Sequence, residues 1–96
     1  MKIKILSSFR DKLNRQVDYI AKDKPSAARK FKSEIMKKIR EIPAMPLKNR
    51  KSIFFEKEEI RDLIHKGYIV VYRINYKENC IELFGFTKFE GNPFEN

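Results

Sequence analysis

Four side chains in the second half of the chain, Arg61, His65, Arg73 and Lys88, are of the types that could cleave RNA without a metal. Attack by a ribose 2′-hydroxyl needs a base for its proton, a cation against the phosphorane charge and an acid for the leaving oxygen. On a regular strand Arg61 and His65 share a face with Leu63 between them. Lys88 follows the last expected strand, where a flexible segment could carry it over a sheet. Each has a plainer reading. Arg73 falls opposite Glu82 if the chain turns at Lys77-Glu78, and opposed charges on a half-exposed sheet face gain up to about 1 kcal/mol. His65 stands beside a Lys66-Gly67 turn, an ordinary place for an exposed neutral imidazole.

Other chemistry has less to work with. One cysteine, Cys80, and one histidine cannot make a zinc site. A Cys80–His65 nucleophile–base pair is conceivable, but Cys80 opens an apolar run and no oxyanion site accompanies it. Gly67, Gly85 and Gly91 are isolated, so no phosphate-cradling loop is expected. We expect no cofactor, no metal and no small-molecule substrate.

With 96 residues the chain is expected to form one domain over 1–96, too small for a cleft between lobes, so function must sit on a surface. Lys and Arg total 22 against 13 Asp and Glu, a formal charge of +9, which favours attraction to nucleic acid or to an acidic protein segment. The lone cysteine in an apolar run suggests a buried thiol in a reducing compartment. No apolar stretch approaches the ~18 residues of a membrane span. A cytoplasmic protein with no membrane partner is expected.

The elements that would position these residues follow from periodicity. Lys2 to Leu6 alternates with a period of two, as a strand with one face on a core does. Ser7 or Ser8 could cap a following helix, with Asp11 in its first turn. Phe9, Leu13, Val17 and Ile20 make its apolar stripe. Asp23-Lys24-Pro25 interrupts, and a second helix starts near Pro25 with the stripe Ala28, Phe31, Ile35, Ile39 and Ile42. Arg29, Lys30, Lys32, Lys37, Lys38 and Arg40 crowd its remaining surface, and Pro43 and Pro46 end it. So short a connection makes an antiparallel αα-hairpin that needs a sheet to cover its apolar side.

After the basic turn Lys48-Asn49-Arg50-Lys51, the run Ser52 to Glu56 reads as the opening strand and Lys57-Glu58-Glu59 as a hairpin loop. Strands are expected at Ile60 to His65, Tyr68 to Ile74 and Cys80 to Phe86, with turns at Lys66-Gly67 and Tyr76 to Asn79. Pairing Ile74 with Ile81 and Arg73 with Glu82 sets the faces. Tyr68, Val70, Tyr72, Ile74, Ile81 and Leu83 are expected under the helices. Ile69, Val71, Arg73, Glu82, Phe84 and Phe86 make a mixed outer surface able to meet a partner. The fold class is α+β, with two N-terminal helices on an antiparallel sheet of about four strands in two layers.

This order resembles the RelE/ParE superfamily of bacterial toxins over nearly the whole chain. The marks are Val17-Asp18-Tyr19-Ile20-Ala21, Lys24 to Phe31, the arginine and leucine of Arg61-Asp62-Leu63, Gly67 to Ile74, and the terminal Asn92-Pro93. The resemblance implies the toxin half of a type II toxin–antitoxin pair, neutralised by the flexible C-terminal segment of a cognate antitoxin. RelE-like members cut messenger RNA in the ribosomal A site; ParE-like members inhibit DNA gyrase. The alanine-containing hairpin is more similar to the ParE side. RelE-like nucleases carry arginine with histidine or tyrosine at the end of the last strand and beyond, whereas Thr87-Lys88-Phe89-Glu90-Gly91 and Phe94 stand here. Phenylalanine neither gives nor takes a proton, and Lys88 could hold the place of a phosphate-binding cation. Gyrase inhibition is thus expected ahead of ribosome-dependent mRNA cleavage, with an inactive or non-catalytic binding module as a third reading.

Overall fold

The computed structural model describes residues 1–89; Asn92-Pro93 and Phe94, singled out in the sequence, lie outside them. The order is β1 (Lys2–Ile5), α1 (Ser7–Asp23), α2 (Pro25–Glu41), a 3-10 turn (Ile42–Ala44), β2 (Arg50–Lys51), β3 (Ile60–His65), β4 (Tyr68–Asn75) and β5 (Cys80–Lys88). No helix among the described residues is long and apolar enough to cross a membrane.

A single extended residue separates the helices. Lys24 adopts φ −146° and ψ 94° because the proline after it disfavours a helical conformation. Its N–H still bonds the Ile20 carbonyl and its carbonyl takes the Ala28 N–H, so this one residue continues the backbone bonding of both helices. The expected serine cap is absent. Leu6 is the capping residue and makes no side-chain bond to the helix. The Ser8 hydroxyl instead donates to the Phe84 carbonyl at 2.9 Å, tying α1 to β5.

The helical stripes bury where their spacing sends them. Phe9, Leu13, Phe31, Ile35, Ile39 and Ile42 pack on Val70, Tyr72, Ile74, Ile81 and Leu83, with Ile3, Val17 and Ile20 at the margin. The sheet has five strands in the order β1-β5-β4-β3-β2, against the expected four or so. It is mixed: β1 runs parallel to β5, with Ile3 beside Ile81, while the other pairs are antiparallel. Ile74 opposes Ile81 and Arg73 opposes Glu82, the register read from the sequence.

That register breaks one step further on. Tyr72 opposes Leu83 but Val71 opposes Gly85, so Phe84 is an extra residue in β5. Beyond the bulge the parity reverses. Phe86, expected on the outer face, turns under the helices and meets the edge of Phe9, with centroids 6.0 Å apart at 85°.

The outer face also differs from expectation. Ile60, Ile69 and Val71 are buried there as a second cluster, covered by Phe54, Phe55 and Phe84. The expected strand over Ser52–Glu56 is a chain of turns. Asp62 is the physical reason: its Oδ2 accepts from the Ile53 N–H at 3.1 Å and from Arg50 Nη2 at 3.2 Å, curling the segment over the sheet. Ser52 Oγ then accepts from the Phe54 N–H. What was expected as an open mixed surface therefore holds a small core of its own. Cys80 is half-buried, not buried.

Candidate functional site

Strand pairing dictates where the four candidate side chains stand. His65 ends β3 opposite Tyr68, and Tyr68 in turn opposes Lys88, so His65 and Lys88 lie in one row across three strands, on the helix side. The Lys66-Gly67 turn that makes this row possible has both residues at positive φ, 46° and 81°. Gly67 takes that conformation without the steric cost that Lys66 bears.

His65 and Lys88 share the row but not the environment. His65 is 3% exposed, contrary to the expected surface position, and neither ring nitrogen has a hydrogen-bond partner among the described residues. Its ring lies 5.9 Å from that of Phe31, which meets Tyr68 edge-on at 5.0 Å. Burial pushes the imidazole below its ordinary pKa, and the Lys38 charge adds to this; Glu34, 3.9 Å away, opposes it. The Glu34 carboxyl is itself held low, chiefly by the hydrogen bond that Lys66 Nζ donates to it at 2.9 Å. Lys88, by contrast, is exposed. It borders a surface depression of about 310 Å³ with Tyr68, Lys12, Arg15 and Tyr19.

Arg61 and Arg73 stand apart from this row. Arg61 lies four residues back along β3, ~13 Å from His65 at the usual rise. Its guanidinium serves the loop beside it, with Nε on the Glu58 carbonyl at 2.8 Å, Nη2 on the Glu58 carboxylate at 3.0 Å and Nη1 on the Asn49 carbonyl at 3.3 Å. Arg73 is on the opposite face of the sheet and meets Glu82 at 2.6 Å. Burial alone would raise the Glu82 carboxyl, but hydrogen bonds from Arg73 and Asn75, with the Arg73 and Lys4 charges, outweigh it and hold the group low. Cys80 is at the far end of β5 from Lys88 and so is remote from His65. Among the described residues no group of three His, Cys, Asp or Glu side chains could hold a metal.

Sequence reasoning placed Tyr72 under the helices but missed the role of its hydroxyl, and it passed over Asp62 and Glu34, which also organise this surface. Tyr72 is fully buried, yet its hydroxyl reaches the segment between α2 and β2. Asp62 is a carboxylate inside an apolar strand, a pattern that signals a buried partner. Glu34 is the one acid among the many cations of the α2 surface near His65, and its spacing from Phe31 sends it towards β3.

A family model described as ParE toxin of type II toxin–antitoxin system, parDE, matches residues 3–87. No curated protein matches the chain.

Proposed function

The chain belongs to the ParE toxin family of type II toxin–antitoxin systems, and from that premise we propose that it arrests growth by inhibiting DNA gyrase. Family membership gives it an antitoxin as partner. In the proposed cycle that antitoxin neutralises the toxin in the cytoplasm, and its loss frees the basic surface to engage the target.

One observation carries the choice of target. Among the four candidates, His65 alone has an ordinary pKa near neutrality, and it is 3% exposed, lies against the Phe31 ring and has no hydrogen-bond partner among the described residues. A general base must come within hydrogen-bond reach of the proton it removes. With Arg73 spent on Glu82 and Arg61 on Glu58 and Asn49, inhibition through binding is the better-supported mode than phosphodiester cleavage.

The observation that favours ribosome-dependent mRNA cleavage is Lys88, exposed beside Lys12, Arg15 and two tyrosine rings, an arrangement able to take a phosphate. A supercoiling assay with purified gyrase, run beside primer-extension mapping of transcripts after induction, separates the two. Loss of supercoiling with intact transcripts supports the gyrase reading. Codon-phased cuts with normal supercoiling, abolished by His65→Ala or Lys88→Ala, would replace it with the nuclease. Neither effect, in a chain that still binds its antitoxin, would leave a binding module without toxicity.

A further inference from the structure

Along α1 the residues Lys12, Arg15, Tyr19 and Lys22 recur at steps of three and four, so they form one stripe on the helix surface, about 15 Å long at the usual rise. A tyrosine interrupts a line of cations. Lys12, Arg15 and Tyr19 border the depression of about 310 Å³ described above, with Gln16 beside them and Thr87 and Lys88 arriving from the end of β5. No aspartate or glutamate among the described residues lines it.

The floor is aromatic. Tyr68, half-buried, stacks on Phe86 at 5.5 Å with the ring planes 5° apart, and Phe31 and Phe9 meet these two rings edge-on. Packing of this kind fixes the Tyr68 ring before a ligand arrives, so little side-chain freedom is lost on binding. Tyr19, at the rim, is 67% exposed. Arg15 and Lys88 are exposed as well, and neither has a carboxylate within ion-pair distance among the described residues. A run of charge that only solvates a helix needs no ring within it and none beneath it. Cations that hold phosphates beside flat rings that hold bases are what an unpaired nucleic-acid strand requires. At about 310 Å³ the depression stands at the small end for a ligand site, which suits one nucleotide of a strand better than a whole dinucleotide.

We propose that this depression seats one nucleotide of unpaired DNA, with its phosphate between Arg15 and Lys88, its base against Tyr19, and the strand continuing along α1 to Lys22. The choice of DNA over RNA rests on the gyrase reading above, which sets the chain to work beside DNA, whereas the site itself rests on the geometry. Its role is attachment, and no bond of the strand is cut.

The test is fluorescence anisotropy of a labelled oligothymidylate of about ten residues with the full chain, run beside gyrase supercoiling. Arg15→Glu and Lys88→Glu should each weaken binding about tenfold or more, and Tyr19→Ala about fivefold or more. Lys37→Glu makes the same change of net charge on α2, at a residue that does not border the depression, and should cost less than about threefold. Equal losses for Lys37→Glu and Arg15→Glu would reduce the binding to general charge and overturn the proposal. So would an unchanged affinity in Tyr19→Ala, or tighter binding of an oligouridylate of the same length. A native chain that inhibits gyrase but ignores the oligothymidylate overturns the proposal and leaves the gyrase reading standing. One that binds it through these residues and leaves gyrase active overturns that reading alone.

Discussion

The Tyr72 hydroxyl donates to the carbonyl of Pro46, 26 positions earlier in the chain, at 2.6 Å, and accepts from Asn49 Nδ2 at 3.1 Å. Burial pushes the phenol above its ordinary pKa, so it stays neutral and keeps donating. One buried side chain thereby joins the centre of β4 to the corner between α2 and β2.

Tyr72→Phe keeps the ring and removes both bonds, stranding a carbonyl and an amide in a part-buried site. The expected cost is about 1–3 kcal/mol, read as a lower urea midpoint at unchanged slope. Amide exchange between residues 45 and 49 should quicken before any global unfolding. An unchanged midpoint would mean that water replaces the hydroxyl without loss.

His65 makes stability depend on pH. The unfolded chain binds a proton on this residue near the ordinary value of 6.5, while burial and then Lys38 lower the folded value. Its contribution is therefore complete above about pH 6.5 and falls as the pH drops from there through the folded value. Lys66 acts in the same direction as Lys38, and Glu34 against them. Thermal unfolding compared at pH 7.5 and pH 5 should show a fall that His65→Leu flattens. A fall of equal size in the variant would assign it to the carboxylates instead.

Asp62 holds the segment that closes the outer face. Its side chain is wholly buried, with Oδ2 on Arg50 and on the Ile53 N–H, and Oδ1 without a partner among the described residues. Asp62→Ala should cost about 1–3 kcal/mol, since Arg50 keeps partial access to solvent and is not left as a fully buried charge. Release of Phe54 and Phe55 from Ile69 and Val71 should raise binding of a hydrophobic dye. Dye binding at the native level would show that the aromatic contacts suffice.

Arg73 and Glu82 invite a double-mutant cycle. Arg73 is about half exposed, so the coupling should be no more than about 0.2–1 kcal/mol despite the short contact. Because the Glu82 carboxyl is held low, that coupling should persist at pH 5 and disappear only as the pH falls through its folded value, below the ordinary carboxylate range. A coupling of several kcal/mol would refute this weak-pair account.

The sequence disclosed most where a repeat distance decides the outcome. The stripes from Phe9 to Ile20 and from Ala28 to Ile42 could bury only as helices, and the alternation from Tyr68 to Leu83 set register and faces together. It disclosed less where one residue changes the count. Phe84 reverses the parity of all that follows in β5, and the mark it left was Gly85 within an apolar strand, a common sign of a bulge. Ile53, Phe54 and Phe55 suit a strand in isolation, and only the distant carboxylate of Asp62 bends them into a cover. His65 stands beside a turn that suits an exposed imidazole, although its parity with Leu63 already points it inward. The candidate site suffered from the same limit. Cations are plain in a sequence, but whether Arg61 and Arg73 are free depends on Asn49, Glu58 and Glu82 arriving beside them.

The parallel seating of β1 on β5 has a consequence for synthesis. Both helices and the first strand leave the translating machinery before Ile81, Leu83 and Phe86, the side chains that complete their apolar bed, have been made. A nascent chain cut short ahead of those residues has no finished core, so both helices are left without the strand that completes their bed.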